Sequence, residues 1–208
     1  MGLAGCGGSG TNTYTLTLLS EAELDGYITH MFAEPEVYVT NSVDPSFQVG
    51  YSNSGFTKIG LKGFVSFNLS SLPEGATITS AVLRVYQYNV AGDPYDKLGK
   101  VLVEHVSYDS LEQGESGETA QAKYTMEPLD NTIPADAFLS TDATIGYKTL
   151  DVTAAVQADQ GASRTRAQFR LRFPKEIVDE DIYSPVSAYF ISGDNDTNQP
   201  QLVIKYTL

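Results

Sequence analysis

The chain has 208 residues, of which 41% are hydrophobic, so it can bury a core large enough for one all-β domain. Its 13 Lys and Arg residues stand against 26 Asp and Glu residues, which gives a formal net charge of −13. Because this charge repels phosphate backbones and anionic lipid head groups, we expect no nucleic-acid partner and no direct adhesion to a membrane surface. The single cysteine, Cys6, excludes an intramolecular disulfide.

The first residues contain a candidate lipid-attachment site. Leu3-Ala4-Gly5-Cys6 resembles the lipobox of bacterial lipoproteins, in which an aliphatic and two small residues precede the lipidated cysteine. The Gly/Ser run after Cys6 has the composition of a flexible tether. The resemblance implies an exported protein that is anchored at the cell surface by a lipid on Cys6, which would be its only contact with a membrane. The alternative is a chance match within a low-complexity leader.

Short runs rich in β-forming residues follow from residue 14 onward. Most of them alternate between apolar and polar side chains, the period of a strand with one buried face. In the run 166–173, for example, the apolar side chains are predicted to face inward and the polar ones outward. The predicted strands cover residues 14–18, 63–69, 80–88, 100–105, 166–173, 186–192 and 201–207.

The remaining segments connect these strands. Residues 152–160 form the one segment with a helical pattern, and it is short. Residues 109–148 are polar and poorly patterned, so we expect a long excursion with one short strand near Lys123. We therefore predict a leader and tether over 1–13, and a single domain over 14–208. The fold class is all-β: an antiparallel, jelly-roll-like β-sandwich with one short helix.

Several segments, in order along the chain, resemble the DNRLRE-type, carbohydrate-binding-module-like domains. GFVSFNLSSLPEGATITSAVLRVYQY (63–88) resembles their strand–turn–strand signature, LDVTAAVQA (150–158) their short helix, and DTNQPQLVIKY (196–206) their closing strand. LDGYI (24–28) and FQVGYS (47–52) fit the opening strands. The resemblance implies a jelly-roll module of secreted bacterial or archaeal proteins, some of which bind polysaccharide. The tryptophan-bearing segment usual before the helix is replaced here by the polar excursion.

Two predicted strands supply a candidate sugar-binding surface. If they lie in one sheet, their outward side chains combine tyrosine rings with planar hydrogen-bond donors, the pairing that holds sugar C–H faces and hydroxyls. The alternative is ordinary cross-strand pairing on a solvated face. The candidate residues are Arg84, Tyr86, Tyr88, Gln168, Arg170 and Arg172.

An oxygen-rich loop near the C-terminus is a candidate calcium site. Asp194, Asp196 and Asn198 alternate along it, and Asp25 could add a ligand if the two ends of the domain adjoin. Calcium takes six to eight such oxygen ligands. The alternative is an Asx-rich turn whose side chains bond to their own backbone.

No catalytic residues are predicted, so we expect a protein that is not an enzyme. His30 and His105 are far apart in sequence, and no G-x-S-x-G elbow is present. Two functions are left. The first is a non-catalytic, extracytoplasmic surface lipoprotein module that binds polysaccharide. The second is a structural subunit that assembles with copies of itself into a filament, tube or layer, its strand 14–18 joining a neighbour's sheet edge. The family resemblance favours the first.

Overall fold

The computed structural model describes residues 12–33, 35–53, 57–176 and 185–208. Cys6 and its lipobox lie outside these ranges. The helices are α1 (Pro94–Lys97), α2 (Glu118–Thr125) and α3 (Thr153–Gly161). The strands are β1 (Thr13–Leu19), β2 (Gly26–Met31), β3 (Val37–Asn41), β4 (Ser46–Asn53), β5 (Lys58–Asn68), β6 (Thr77–Ala91), β7 (Val101–Val106), β8 (Phe138–Ser140), β9 (Gly146–Asp151), β10 (Arg166–Arg172), β11 (Val186–Ile191) and β12 (Gln201–Thr207). None of the helices in the described ranges is long and apolar enough to cross a bilayer.

The strands form an antiparallel β-sandwich, which confirms the predicted fold class. Hydrogen bonding runs through β1-β12-β6-β11-β4-β5-β10-β7-β8, with β9 on the other edge of β6 and β2, then β3, beside β5. One layer is β1-β12-β6-β9, the other is β3-β2-β5-β10-β7-β8, and β11 and β4 connect them. Leu83 of β6, Leu202 of β12, Val65 of β5 and Phe169 of β10 all belong to one buried cluster between the layers.

Side-chain alternation along the strands builds this core. Ala81, Leu83 and Val85 of β6 have no exposed surface, and neither do Phe169 and Leu171 of β10. Burying each of the larger side chains contributes about 1.5–3 kcal/mol. Because successive residues of a strand point to opposite sides, the residues between them face away from the core.

A second, smaller core lies on the outer side of the layer that contains β5 and β10. The excursion crosses this side, and its helix α2 packs Tyr124 against Tyr38 while Tyr108 packs against Phe64. The predicted strand near Lys123 is therefore wrong. Residues 118–125 are helical because ETAQAKYT consists mainly of good helix formers. The same excursion also contains β8 and the start of β9.

The N-terminal strand lies in the sheet of its own chain. β1 pairs antiparallel with β12 along its whole length, from Thr13 opposite Thr207 to Leu19 opposite Gln201. One edge of β1 is thus occupied within its own chain, and the predicted assembly into a filament, tube or layer through this strand is not supported.

One buried histidine ties three segments together. His105 of β7 contacts Asp130 of the excursion through Nδ1 at 3.1 Å and Asp159 of α3 through Nε2 at 3.0 Å. Arg164 Nη1 lies 3.1 Å from Asp159, and the His105 side chain has no exposed surface. A protonated imidazole is the form that can donate to both carboxylates at once.

The pH dependence of stability tests this arrangement. Burial alone would lower the pKa of His105, but its hydrogen bonds and charge interactions with Asp159, and then Asp130, outweigh burial and raise it above 6.5. The stabilisation is therefore complete below the unfolded-state pKa and is lost as pH rises through the folded-state pKa. We expect the free energy of unfolding of the wild type, relative to His105→Gln, to fall above pH 6.5, with a limiting slope of about 1.4 kcal/mol per pH unit.

Urea unfolding of both proteins between pH 5 and pH 9 measures this difference, and NMR titration of the imidazole gives its folded-state pKa independently. A difference that stays constant across this range would contradict the prediction.

Candidate functional site

The outer side of β6 carries an arginine and two tyrosines. Arg84, Tyr86 and Tyr88 alternate with core residues, and Tyr88 is 37% exposed. β6 is paired with β12 and β9 on its two edges over residues 82–84. Arg84 therefore projects from a stretch of β6 that is fixed on both sides.

Strand β9 adds a third tyrosine that the sequence analysis missed. Tyr147 lies directly opposite Tyr86 in the β6–β9 register, and the two rings meet edge to face with centroids 5.2 Å apart. The Arg84 guanidinium lies 4.5 Å from the Tyr147 ring centroid, an attractive cation–π contact. Gln201 of β12 reaches the Tyr147 hydroxyl at 3.4 Å.

A fourth tyrosine continues this surface past a bulge in β6. Tyr189 of β11 is opposite Asn89, whereas the next residue of β11 is opposite Gln87, so Tyr88 is the extra residue of the bulge. The Tyr88 and Tyr189 rings meet edge to face at 6.0 Å, and the Tyr88 hydroxyl donates to Ser46 Oγ at 3.1 Å. We call Arg84, Tyr86, Tyr88, Tyr147 and Tyr189 the tyrosine strip.

The surroundings of Arg84, Tyr86 and Tyr147 carry little acidic charge, although the chain as a whole is acidic. By the strand registers, the charged side chains on the outer side of β1, β12, β6 and β9 are Arg84, Lys205 and Asp151. Within the described residues, no carboxylate lies within 4.0 Å of Arg84. Its donors are thus not committed to an ion pair.

The other half of the predicted surface lies elsewhere. β10 is separated from β6 by β11, β4 and β5 along the hydrogen-bonding path, and the two strands face each other across the core. Their outer sides therefore point in opposite directions. The prediction that Gln168, Arg170 and Arg172 share a surface with the β6 residues is wrong.

Two of the three β10 side chains are also buried. Gln168 and Arg170 are each 3% exposed. Arg170 Nε donates to Glu104 at 2.7 Å and its Nη1 donates to the Tyr124 carbonyl at 2.9 Å, while Arg172 Nε donates to Glu104 at 2.6 Å. Arg170 thus attaches the excursion to the sandwich, whereas Arg172 is paired with Glu104 of the neighbouring strand β7.

The predicted calcium ligands are brought together only in part. Asp25 does meet the C-terminal loop, since its Oδ2 accepts from the Gly193 N–H at 2.5 Å and from the Ser20 hydroxyl at 2.7 Å. The candidate ligands Asp194, Asp196 and Asn198, in contrast, are exposed.

The loop itself has the hydrogen bonding of an Asx turn. Asn195 Oδ1 accepts from the Thr197 N–H at 2.9 Å. Across the described part of the chain, no group of three or more His, Cys, Asp or Glu side chains is arranged to hold a metal ion. Calcium therefore stays a prediction.

Asp25 is more easily understood as a buried acid. Burial raises its pKa to about 7, against the hydrogen bonds from Ser20 and Gly193, and the charge of Asp194 raises it further. Because the folded-state pKa exceeds the ordinary 3.8, protonation favours folding. The resulting stabilisation is complete below pH 3.8 and is lost as pH rises to about 7.

We therefore expect the wild type to lose stability relative to Asp25→Asn as pH rises from 4 to 7. Thermal unfolding of both proteins across this range measures the difference. A parallel pH dependence of the two melting temperatures would show that folding does not raise the pKa of Asp25.

Comparison with known proteins supplies the functional context for the tyrosine strip. Residues 34–206 match the family model of carbohydrate-binding module family 96. The match extends over most of the chain and includes all five residues of the strip. No curated protein matches the chain.

Proposed function

The chain belongs to carbohydrate-binding module family 96, and from this membership we propose that it binds polysaccharide on the tyrosine strip without transforming it. The observation that carries the proposal is the cluster of Arg84, Tyr86 and Tyr147, in which a guanidinium without a carboxylate partner in the described residues lies against tyrosine rings. Aromatic rings pack against the C–H faces of sugars, and planar donors bind their hydroxyls.

The rigidity of the surface also favours ligand binding. β6 is an interior strand, and the rings on it contact rings on its two neighbours, β9 and β11. Little side-chain freedom is left to lose when a ligand binds, and such pre-organisation raises affinity. Cross-strand pairing alone would account for the ring contacts, but it would not explain an arginine that pairs with no acid in the described part of a chain with a net charge of −13.

The histidines support a binding role over a catalytic one. The His105 side chain has no exposed surface, and both of its ring nitrogens are engaged by carboxylates. His30 is 6% exposed and stacked on Tyr38 with centroids 4.2 Å apart. A general acid or base must reach the proton that it transfers, and neither imidazole lies open to a bound polysaccharide.

We also propose export and attachment to the cell surface by a lipid on Cys6. The support is the lipobox-like sequence that precedes Cys6 and the Gly/Ser run that follows it. Metabolic labelling with a radioactive fatty acid in a bacterial host tests this proposal. We expect label on the wild type and none on Cys6→Ser, and an unlabelled wild type would contradict it.

Substitutions inside and outside the tyrosine strip test the sugar-binding surface. We expect Arg84→Ala and Tyr147→Ala each to weaken binding by roughly tenfold, because each removes a planar or aromatic contact worth on the order of 1–2 kcal/mol. Arg172→Ala and Tyr14→Ala are the matched controls, since they remove an arginine and an exposed tyrosine that lie outside the strip.

Affinity electrophoresis on a panel of soluble polysaccharides, followed by titration calorimetry with those that retard the wild type, measures the effect. Circular dichroism verifies the fold of each variant. If no polysaccharide retards the wild type, or if Arg172→Ala weakens binding as much as Arg84→Ala, the proposed site is wrong.

A further inference from the structure

In the described part of the chain, strand β1 forms an edge of the sandwich that lacks the usual protection. Over the described residues its pairing partner is β12 alone. Its sequence, TYTLTLL (Thr13–Leu19), is seven residues long and contains no charged residue and no proline. Proteins usually protect edge strands with charges, proline, bulges, short length or a covering segment, because an open edge can pair with another strand.

The other edges in the described part of the sandwich are protected. β8 has three residues, β9 carries Lys148 and Asp151, and β3 is bridged through Val39 to Ser116 of the excursion. In a chain with 26 acidic residues, β1 is the long edge from which charge is missing.

The hydrogen-bonding groups on the open edge can be identified from the register. The Ser20 N–H donates to the Pro200 carbonyl at 3.0 Å. Ser20 and Pro200, which lie next to the Leu19–Gln201 pair at the end of the β1–β12 ladder, therefore form a hydrogen-bonded pair. Pairs alternate along an antiparallel ladder, so Leu18, Leu16 and Tyr14 also bond to β12. The residues between them direct their N–H and C=O groups away from the sheet: Thr13, Thr15, Thr17 and Leu19.

The side chains restrict what can pair there. Leu16 and Leu18 face the core side, whereas the threonines face the outer side. A strand that extends this layer must show the same alternation of core-side and outer-side residues, because a slip by one residue exchanges the two sides. β1 itself meets this condition.

We propose that β1 pairs antiparallel with β1 of a second copy of this chain, which gives a two-fold symmetric dimer. In the register with Leu16 opposite Leu16 of the partner subunit, Thr15 lies opposite Thr17 of the partner subunit and Thr13 opposite Leu19 of the partner subunit. All outward N–H and C=O groups of both strands are then paired, and each side chain meets one from the same side.

This symmetry has a functional consequence that rests on the proposed function. Since outer-side residues meet outer-side residues, the two-fold axis is perpendicular to the sheet. The strand order across the dimer is then β9-β6-β12-β1 in one subunit, followed by β1-β12-β6-β9 in the partner subunit. Both tyrosine strips consequently lie on the same side of one continuous sheet. A long polysaccharide could engage both strips, and the second contact would be intramolecular.

Electrostatics gives the dimer a characteristic salt dependence. Two chains that each carry a formal charge of −13 repel one another, but the strands that meet are uncharged. Screening weakens the repulsion without weakening the contact. We therefore expect dimerisation to strengthen as salt rises, whereas an interface held by ion pairs would weaken.

Sedimentation equilibrium over a range of protein and salt concentrations tests the proposal. The wild type should show a monomer–dimer equilibrium that shifts toward dimer with salt. Thr15→Lys/Thr17→Lys should be monomeric, because it places like charges opposite each other across the two strands. Thr119→Lys/Ala122→Lys adds the same charge on exposed positions of α2, in the other layer, and should dimerise like the wild type.

Thr15→Pro provides a second test without added charge. It removes an N–H that points away from β12, and proline is tolerated on an edge strand in that position. The variant should therefore lose the dimer and keep the melting temperature that the wild type has at protein concentrations where it is monomeric. A wild type that stays monomeric at all concentrations, or a dimer that persists in both β1 variants, would overturn the proposal. Sugar binding by a monomeric protein would leave the proposed function intact, so the two proposals can fail separately.

Discussion

The alternation of side chains along β6 is the constraint on which the rest of the structure depends. Leu83 and Val85 fill the core, which obliges Arg84 and Tyr86 to face outward. A one-residue slip against β12 or β9 would bury the guanidinium and expose the leucine, so the hydrophobic core itself fixes the register. The same register places Tyr147 of β9 opposite Tyr86. The packing that stabilises the fold thus also assembles the tyrosine strip.

The bulge at Tyr88 extends this surface from one pair of strands to the next. It leaves Tyr88 unpaired, so that its ring can meet Tyr189 of β11. The neighbouring Gln87 is fully buried, with its amide nitrogen donating to the carbonyls of Asp142 and Thr144 at 3.0 and 3.1 Å. A polar side chain buried without such partners would be costly. The hydrogen bonds of Gln87 therefore hold the bulge in place and, with it, the far end of the tyrosine strip.

The sequence predicts the strands well because alternation is a local property. Alternation predicts the runs that form β1, β6, β10 and β12, and in β6 and β10 it also predicts which residues face the core. Strand order is not local: nothing in the β10 run shows that it lies across the core from β6, and nothing near Tyr147 shows that it lies beside Tyr86. Helix α2 escaped detection for a related reason. It buries Lys123, whose ammonium reaches Glu115 at 2.6 Å, so it lacks the apolar stripe that marks most surface helices.

Buried charges explain why the excursion stays docked on the outer side of the layer that contains β10. Arg170 of β10 and Lys62 of β5 both donate to the Tyr124 carbonyl, at 2.9 and 3.1 Å, where the last turn of α2 has carbonyl groups without helical partners. Cations at this end of a helix are stabilised by its dipole. The acids Glu104 and Glu176 complete the pairing of these two cations.

Removing one partner from such a buried pair costs about 3–5 kcal/mol, so the helix cannot easily lift away. The alternating polar residues of β10 therefore hold a docked segment, whereas the alternating polar residues of β6 lie on an uncovered surface. The two cases differ in what covers the strand, and that depends on contacts between residues far apart in the chain.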